Sequence, residues 1–210
     1  MTAEELFTEA FGECPLIAIL RGVTPEECAA IGDAVLEGGI RIIEVPLNSP
    51  RPLESIKCLA HRYGDRAMVG AGTVLRVEHV EQVRLAGGRL VVSPSVNRGV
   101  IAASVSAGLF SCPGYFTPSE AFAAIDAGAQ ALKLFPAEAA SPAVVRAQRA
   151  VLPSDLPLIV VGGVTPDSLQ PWIEAGANGF GLGSGIYKPG QTPAATLAKA
   201  RAFQTGLQAQ

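Results

Sequence analysis

One unit recurs along this chain, and the recurrence restricts the fold more than any other feature. A short apolar, β-rich run ends in Gly, Pro or Ser. A helical stretch rich in Ala, Glu and Leu follows, and the next apolar run begins. The runs are Leu16–Leu20, Ile42–Pro46, Met68–Thr73, Leu90–Ser95, Phe110–Gly114, Ala131–Pro136, Leu158–Gly163 and Gly179–Ser184. They start at intervals of roughly 20 to 27 residues, the size of a compact strand–helix unit. Continuous apolar runs separated by helices imply parallel strands buried on both faces. Eight such strands with eight following helices favour a closed (β/α)8 TIM barrel over an open sheet. None of the runs is short or charged enough to serve as a sheet edge. Met1–Phe11 adds a helix before the first strand, expected to cap the bottom of the barrel.

The punctuation between runs agrees. Thr24-Pro25-Glu26-Glu27 sets an N-cap before a proline at the first helical position, with acids in the first turn. Thr117-Pro118-Ser119-Glu120 and Thr165-Pro166-Asp167 carry the same signal. Helix ends carry glycine, as in Glu37-Gly38-Gly39, Ala86-Gly87-Gly88, Ala127-Gly128 and Ala175-Gly176. With 210 residues, 49% of them hydrophobic, the chain can bury one substantial core, and no linker divides it. A single barrel domain over residues 1–210 is expected.

Charge and cysteine usage exclude several function classes. A net charge of −3 gives no electrostatic footprint for nucleic acid or an anionic membrane. The apolar runs are strand-sized, so no transmembrane helix is expected. The acidic N-terminus, with Glu4, Glu5 and Glu9, lacks the features of a signal peptide. Cys14, Cys28, Cys58 and Cys112 are scattered with no CxxC pair, and His61 and His79 are the only histidines. Disulfide frameworks and zinc sites need clustered ligands, so a reduced, cytoplasmic setting without a bound metal is expected. Both histidines fall on surface helices and are given no chemical role.

In such barrels the chemistry sits at the C-terminal ends of the strands. Lys133 stands there in Ala131-Leu132-Lys133-Leu134-Phe135-Pro136, with apolar neighbours on both sides. An apolar strand penalises the ammonium form and favours the neutral amine that attacks a carbonyl. Glu44 interrupts Ile42-Ile43-Glu44-Val45-Pro46 in the same way, the only acid inside an expected strand. The two are either a structural ion pair or a nucleophile with its proton shuttle. Arg21 ends the first strand, where a guanidinium suits a carboxylate or phosphate. Thr73 ends the third, placed to hydrogen-bond a substrate or to cap the next helix. Gly162-Gly163 and Gly183-Ser184 end the last two strands. Glycine-rich turns there, leading into helix N-termini, form the recurrent phosphate cradle of barrels.

Taken together, Leu20-Arg21-Gly22, Glu44-Val45-Pro46-Leu47-Asn48-Ser49-Pro50, Val69-Gly70-Ala71-Gly72-Thr73-Val74-Leu75, Cys112-Pro113-Gly114, Lys133-Leu134-Phe135-Pro136 and Val161-Gly162-Gly163-Val164 resemble the KDPG/KDPGal aldolases. The resemblance runs from about Pro15 to Tyr187, and the motifs are specific as an ordered set. It implies reversible retro-aldol cleavage of a phosphorylated 2-keto-3-deoxy sugar acid to pyruvate and D-glyceraldehyde 3-phosphate. It also implies a homotrimer of barrels and no metal or other cofactor. Lys133 takes the Schiff-base position and Glu44 the proton-transfer position. Arg21, Thr73, Pro94 and Val161 match substrate-binding positions. Gly162, Gly163, Gly183 and Ser184 match the phosphate site. The gluconate-type members carry an arginine where this chain has Asn48, and a threonine where it has Val161. Both departures point to the galactonate type, whose substrate differs in configuration at C4. Three rival readings remain open: the same chemistry on the gluconate epimer, a phosphate-binding barrel isomerase or epimerase without an imine, and a non-catalytic sugar-phosphate sensor.

Overall fold

A computed structural model describes residues 1–208. Eight parallel strands close into a barrel in sequence order: β1 (Leu16–Ile19), β2 (Ile42–Pro46), β3 (Met68–Gly72), β4 (Leu90–Ser93), β5 (Phe110–Tyr115), β6 (Leu132–Leu134), β7 (Leu158–Val161) and β8 (Gly179–Leu182). Closure comes from β1 pairing β8, with Leu16, Ile17 and Ala18 opposite Phe180, Gly181 and Leu182. Helix α1 (Ala3–Glu13) precedes the barrel. The connecting helices are α2 (Pro25–Glu37), α3 (Pro52–Tyr63), α4 (Val77–Leu85), α5 (Arg98–Ser106), α6 (Pro118–Asp126), α7 (Pro142–Arg149), α8 (Leu169–Glu174) and α9 (Pro193–Gln208). The expected (β/α)8 barrel with an extra N-terminal helix is what forms. Among the described residues no helix is long and apolar enough to cross a membrane.

Strand side chains alternate between two cores. Ile43, Val45, Leu132, Leu134 and Val160 point outward and pack under the helices. Ile17, Ile42, Met68, Leu90, Phe110 and Ile159 point inward and fill the barrel. Four α1 residues, Ala3, Leu6, Phe7 and Ala10, belong to this inner core. The Phe7 ring stacks on Phe110, the first residue of β5, at 3.9 Å between centroids and 13° between planes. Helix α1 therefore plugs the N-terminal mouth, and the open mouth is left to the chemistry.

The helix signals hold with one difference. Thr24 with Glu27, and Thr117 with Glu120, form capping boxes with proline at the first helical position. The Thr165-Pro166-Asp167 signal instead opens a 3-10 turn over Pro166–Ser168, and α8 starts only at Leu169. The Ser168 hydroxyl accepts from the Thr165 N–H at 2.8 Å and donates to the Thr165 carbonyl at 3.1 Å, which tightens that first turn. Most strands also end one or two residues before the expected boundary, because the chain leaves the ladder to line the open mouth. The exceptions are β2, which ends at Pro46 as expected, and β5, which runs one residue further, to Tyr115. Strand β6 stops before Pro136, which has no N–H to give.

Removing the plug has a direct cost. Phe7 is 3% exposed, so Phe7→Ala should lower stability by about 3–5 kcal/mol. Denaturant midpoints of the two proteins measure it, and an unchanged midpoint would show that α1 is not part of the core.

Candidate active site

The alternation that builds the two cores also aims two charges inward. Lys133 lies between Leu132 and Leu134, both of the outer core, and so faces the barrel interior. Glu44 lies between Ile43 and Val45 and faces the interior for the same reason. Strands β2 and β6 stand on opposite sides of the ring. Glu44 is 1% exposed and Lys133 5%. Burying an ion costs several kcal/mol unless it is paired or hydrogen-bonded. Neither group joins an ion pair among the described residues. Glu44 Oε1 is buried with no hydrogen-bond partner at all. The structure thus shows no direct ion pair between the two: Lys133 and Glu44 are ionisable side chains buried on the interior of one apolar barrel.

Their surroundings are shaped by small residues. A Cβ on Gly72 of β3 would overlap Glu44 Oε1, so the carboxylate fits only because β3 carries glycine there. Lys133 Nζ sits 5.1 Å from the centroid of the Phe135 ring. Cys112 shares the interior. Burial pushes its thiol up to about 12, with Lys133 lowering it and Glu44 raising it. Its sulfur stays a protonated, inert wall.

The open mouth holds a cavity of about 860 Å3, lined by Arg21, Thr73, Pro94 and Lys133. Val161, Gly162, Gly163, Gly183 and Ser184 line it as well. Every expected substrate- or phosphate-contacting residue and Lys133 thus line this cavity, whereas Glu44 and Asn48 do not. Val161 belongs to the inner core and closes the cavity floor beside Gly181, where a Cβ would stand 2.7 Å from Val161 Cγ2.

Contacts between loops fix the rim. The Arg21 guanidinium donates from Nη1 to Asn48 Oδ1 at 2.8 Å, and the Gly22 N–H donates to Ser49 Oγ at 2.9 Å. The loops after β1 and β2 are thereby stitched together. Thr73 has φ +57°, a left-handed conformation uncommon for a β-branched residue. Ser93 Oγ donates to the Val74 carbonyl at 2.7 Å and the Val74 N–H donates to the Val92 carbonyl at 3.2 Å, which holds that turn. Thr73 caps no helix, since α4 begins at Val77 with Arg76 as its N-cap.

The glycine ends behave partly as expected. Gly162 (φ +121°) and Gly163 (φ +66°) turn the chain sharply after β7. They do not lead straight into a helix: the 3-10 turn at Pro166 intervenes. After β8 a single helical turn forms, with the N–H groups of Ile186 and Tyr187 on the Gly183 carbonyl. Helix α9 starts only at Pro193. Where two helix N-termini were expected, the structure has two turns of backbone.

Two charged lining residues went unnoticed in the sequence, Glu138 and Lys188. Both lie outside the apolar runs, in loops. Their signal is position alone: an acid five residues after Lys133 and a cation four residues after Ser184. His61 on α3 and His79 on α4 sit on outer helices and do not line the cavity. No cluster of three or more potential metal ligands occurs among the described residues.

Comparison with known proteins gives a consistent result. The family model for KDPG and KHG aldolase matches residues 8–199. The chain is 49% identical over 189 residues to the 2-dehydro-3-deoxy-6-phosphogalactonate aldolase of Escherichia coli (strain K12), covering 90% of this chain and 92% of that one. It is 45% identical over 203 residues to a probable 2-dehydro-3-deoxy-6-phosphogalactonate aldolase of Rhizobium meliloti (strain 1021), covering 93% and 96%. A solved structure titled native KDPGal superimposes with a TM-score of 0.92 at 47% identity, covering 94% of this chain and 96% of that one. The 2-keto-3-deoxy-6-phosphogluconate aldolase of Zymomonas mobilis ZM4 gives a TM-score of 0.82 at 26% identity, covering 96% and 94%.

The fit of Glu44 over Gly72 is open to a double-mutant cycle. Gly72→Ala should destabilise by about 1–3 kcal/mol through overpacking against the carboxylate. In a Glu44→Ala background the same change should cost much less. Equal costs in both backgrounds would show that the two residues do not compete for the space.

Proposed function

The chain belongs to the KDPG and KHG aldolase family, and from that membership we propose that it is a class I, Schiff-base aldolase cleaving 2-dehydro-3-deoxy-6-phospho-D-galactonate reversibly to pyruvate and D-glyceraldehyde 3-phosphate. The observation that carries the proposal is the pair of buried ionisable side chains inside the apolar barrel, Lys133 lining the open cavity and Glu44 with an unpartnered carboxylate oxygen. The similarity to two relatives named for the phosphogalactonate substrate supports its galactonate form.

In this reading Lys133 attacks the C2 carbonyl as the neutral amine. Glu44 moves the protons as the carbinolamine collapses to the imine. The protonated imine then accepts the electron pair released when the C3–C4 bond breaks. An enamine of pyruvate remains on Lys133, and the phosphorylated aldehyde leaves. Protonation at C3 and hydrolysis release pyruvate and free the lysine. Gly162, Gly163, Gly183 and Ser184 hold the phosphate through the two backbone turns. Thr73, the backbone near Pro94 and the Arg21 guanidinium hold the carboxylate end. The Arg21–Asn48 hydrogen bond gives Asn48 a purpose at the position where gluconate-type members carry arginine: it steers a guanidinium that arrives from β1 instead. Val161 offers the C4 region an apolar wall, which disfavours a hydroxyl aimed at it without a partner.

We read the working form as a cytoplasmic homotrimer. Val77, Val105 and Phe122 expose apolar surface on the successive helices α4, α5 and α6, and the four cysteines are unpaired. Light scattering at three times the 21.6 kDa chain mass is the expected result.

Borohydride reduction in the presence of pyruvate should trap the imine as a secondary amine, adding a 1-carboxyethyl group to Lys133, seen by peptide mass spectrometry. Lys133→Ala should give no adduct and no turnover. An unmodified Lys133 would end the covalent mechanism. Side by side, the galactonate epimer should be turned over faster than the gluconate epimer, and the reverse preference would reassign the substrate. Val161→Thr should move the kcat/KM ratio toward the gluconate epimer by about tenfold or more.

A further inference from the structure

In the Schiff-base reading the imine nitrogen carries a positive charge, and that charge draws in the electron pair of the breaking C3–C4 bond. Something in the site has to stabilise it. A carboxylate in direct contact would do so, but it would also be a base able to take the imine proton and switch the electron sink off. The structure shows no such contact, since Lys133 joins no ion pair among the described residues. What faces its Nζ is an aromatic ring, with the centroid of Phe135 5.1 Å away.

We propose that the face of the Phe135 ring stabilises the protonated imine on Lys133 and so keeps that imine cationic. The proposal deepens the Schiff-base reading and rests on it. A cation within about 6 Å of an aromatic centroid is attracted by the negative face of the ring, and more strongly where water is excluded. Lys133 is almost wholly buried, so that attraction acts with little competition from solvent. The placement follows from the strand. Phe135 comes two residues after Lys133 at the end of β6, so strand parity sends both side chains to the interior. Phe135 packs against the inner core and lines the cavity. Its N–H donates to the Tyr115 carbonyl at 3.2 Å, which ties its backbone to the end of β5. The nitrogen stays tethered to β6 through the whole cycle, so the atom that faces the ring as an amine remains beside it as the imine.

A ring and a carboxylate act differently on this nitrogen. The ring has no site to receive a proton, so it lowers the energy of the cation without neutralising it. In the cleavage step the C3–C4 pair becomes the C2–C3 double bond, and the C2–N π pair settles on nitrogen, which loses its charge. The ring therefore favours the state in which the sink is ready. Glu44, set against Gly72 of β3, stays free for proton transfer. The other titratable or charged groups around the nitrogen are Cys112 of β5, which shares the interior with Glu44, and Arg21, Glu138, Tyr187 and Lys188 on the cavity wall. None of them changes when only the electron density of the ring is altered, so the contribution of the ring can be isolated.

Replacing Phe135 in the full-length chain by mono-, di- and trifluorinated phenylalanine withdraws electron density from the ring face in steps and nearly keeps its shape. With isotopically labelled lysine and pyruvate bound, the nitrogen chemical shift separates the protonated imine from the neutral one. The pH at which the imine loses its proton should fall with each added fluorine, by about 0.5–1.5 pH units across the series. Phe135→Leu, which removes the π face altogether, should lower it at least as far. A midpoint that stays constant or rises along the fluorinated series would overturn the proposal. So would a shift seen in Phe135→Leu alone, which would mark the ring as an apolar wall. If the unsubstituted protein forms no borohydride adduct with pyruvate, the Schiff-base reading itself falls, a result distinct from a flat fluorine series on an imine that does form.

Discussion

Burial of two ionisable side chains, an amine and a carboxyl, inside one apolar barrel is the constraint on which the rest depends. Lys133 and Glu44 are both almost wholly removed from solvent, and no ion pair joins them. A fold can carry such groups only if its remaining burial is large and its interior stiff. The closed eight-strand ring supplies both. It has no edge to open, its outward faces are covered by helices, and its lower mouth is plugged by α1 through Phe7 on Phe110. Water reaches the charges from one side only, through the cavity where a substrate would enter.

Glycine is the means by which this interior makes room. Strand β3 yields to the Glu44 carboxylate at Gly72, and β8 yields to Val161 at Gly181. Neither glycine shows in its own φ why it is there; the reason lies in the side chain of the neighbouring strand. At the rim, glycine acts through conformation instead, with Gly162 and Gly163 turning the chain where a Cβ would meet Glu138. Thr73 accepts the opposite bargain, a left-handed backbone in a β-branched residue, held by Ser93 and Val92 of the next strand.

The barrel was legible in the chain because each strand–helix unit is local. The eight apolar runs, the Thr-Pro-x-Glu helix starts and the glycine stops each depend on a few neighbouring residues. Lys133 and Glu44 stood out for the same reason, since a charge between apolar strand neighbours violates a local pattern. Boundaries were less legible: six of the eight strands stop short of their runs because the last residues turn to line the cavity, which no periodicity records. Glu138 and Lys188 escaped notice because a charged loop residue breaks no pattern.

The sequence by itself determined the repeat, the closed parallel ring and the two residues that do not belong in its strands. Alternation along a strand sends a residue inward or outward by parity alone, so even the inward aim of both charges follows from their apolar neighbours. Only the tertiary structure decided that Glu44 keeps an unpartnered oxygen over Gly72, that Asn48 holds Arg21 across 27 residues of sequence, and that Glu138 bends over the glycine pair. These are contacts between different units. Their distances are set by how strands of the ring are staggered against one another when it closes, and that stagger is a property of the whole barrel rather than of any one segment.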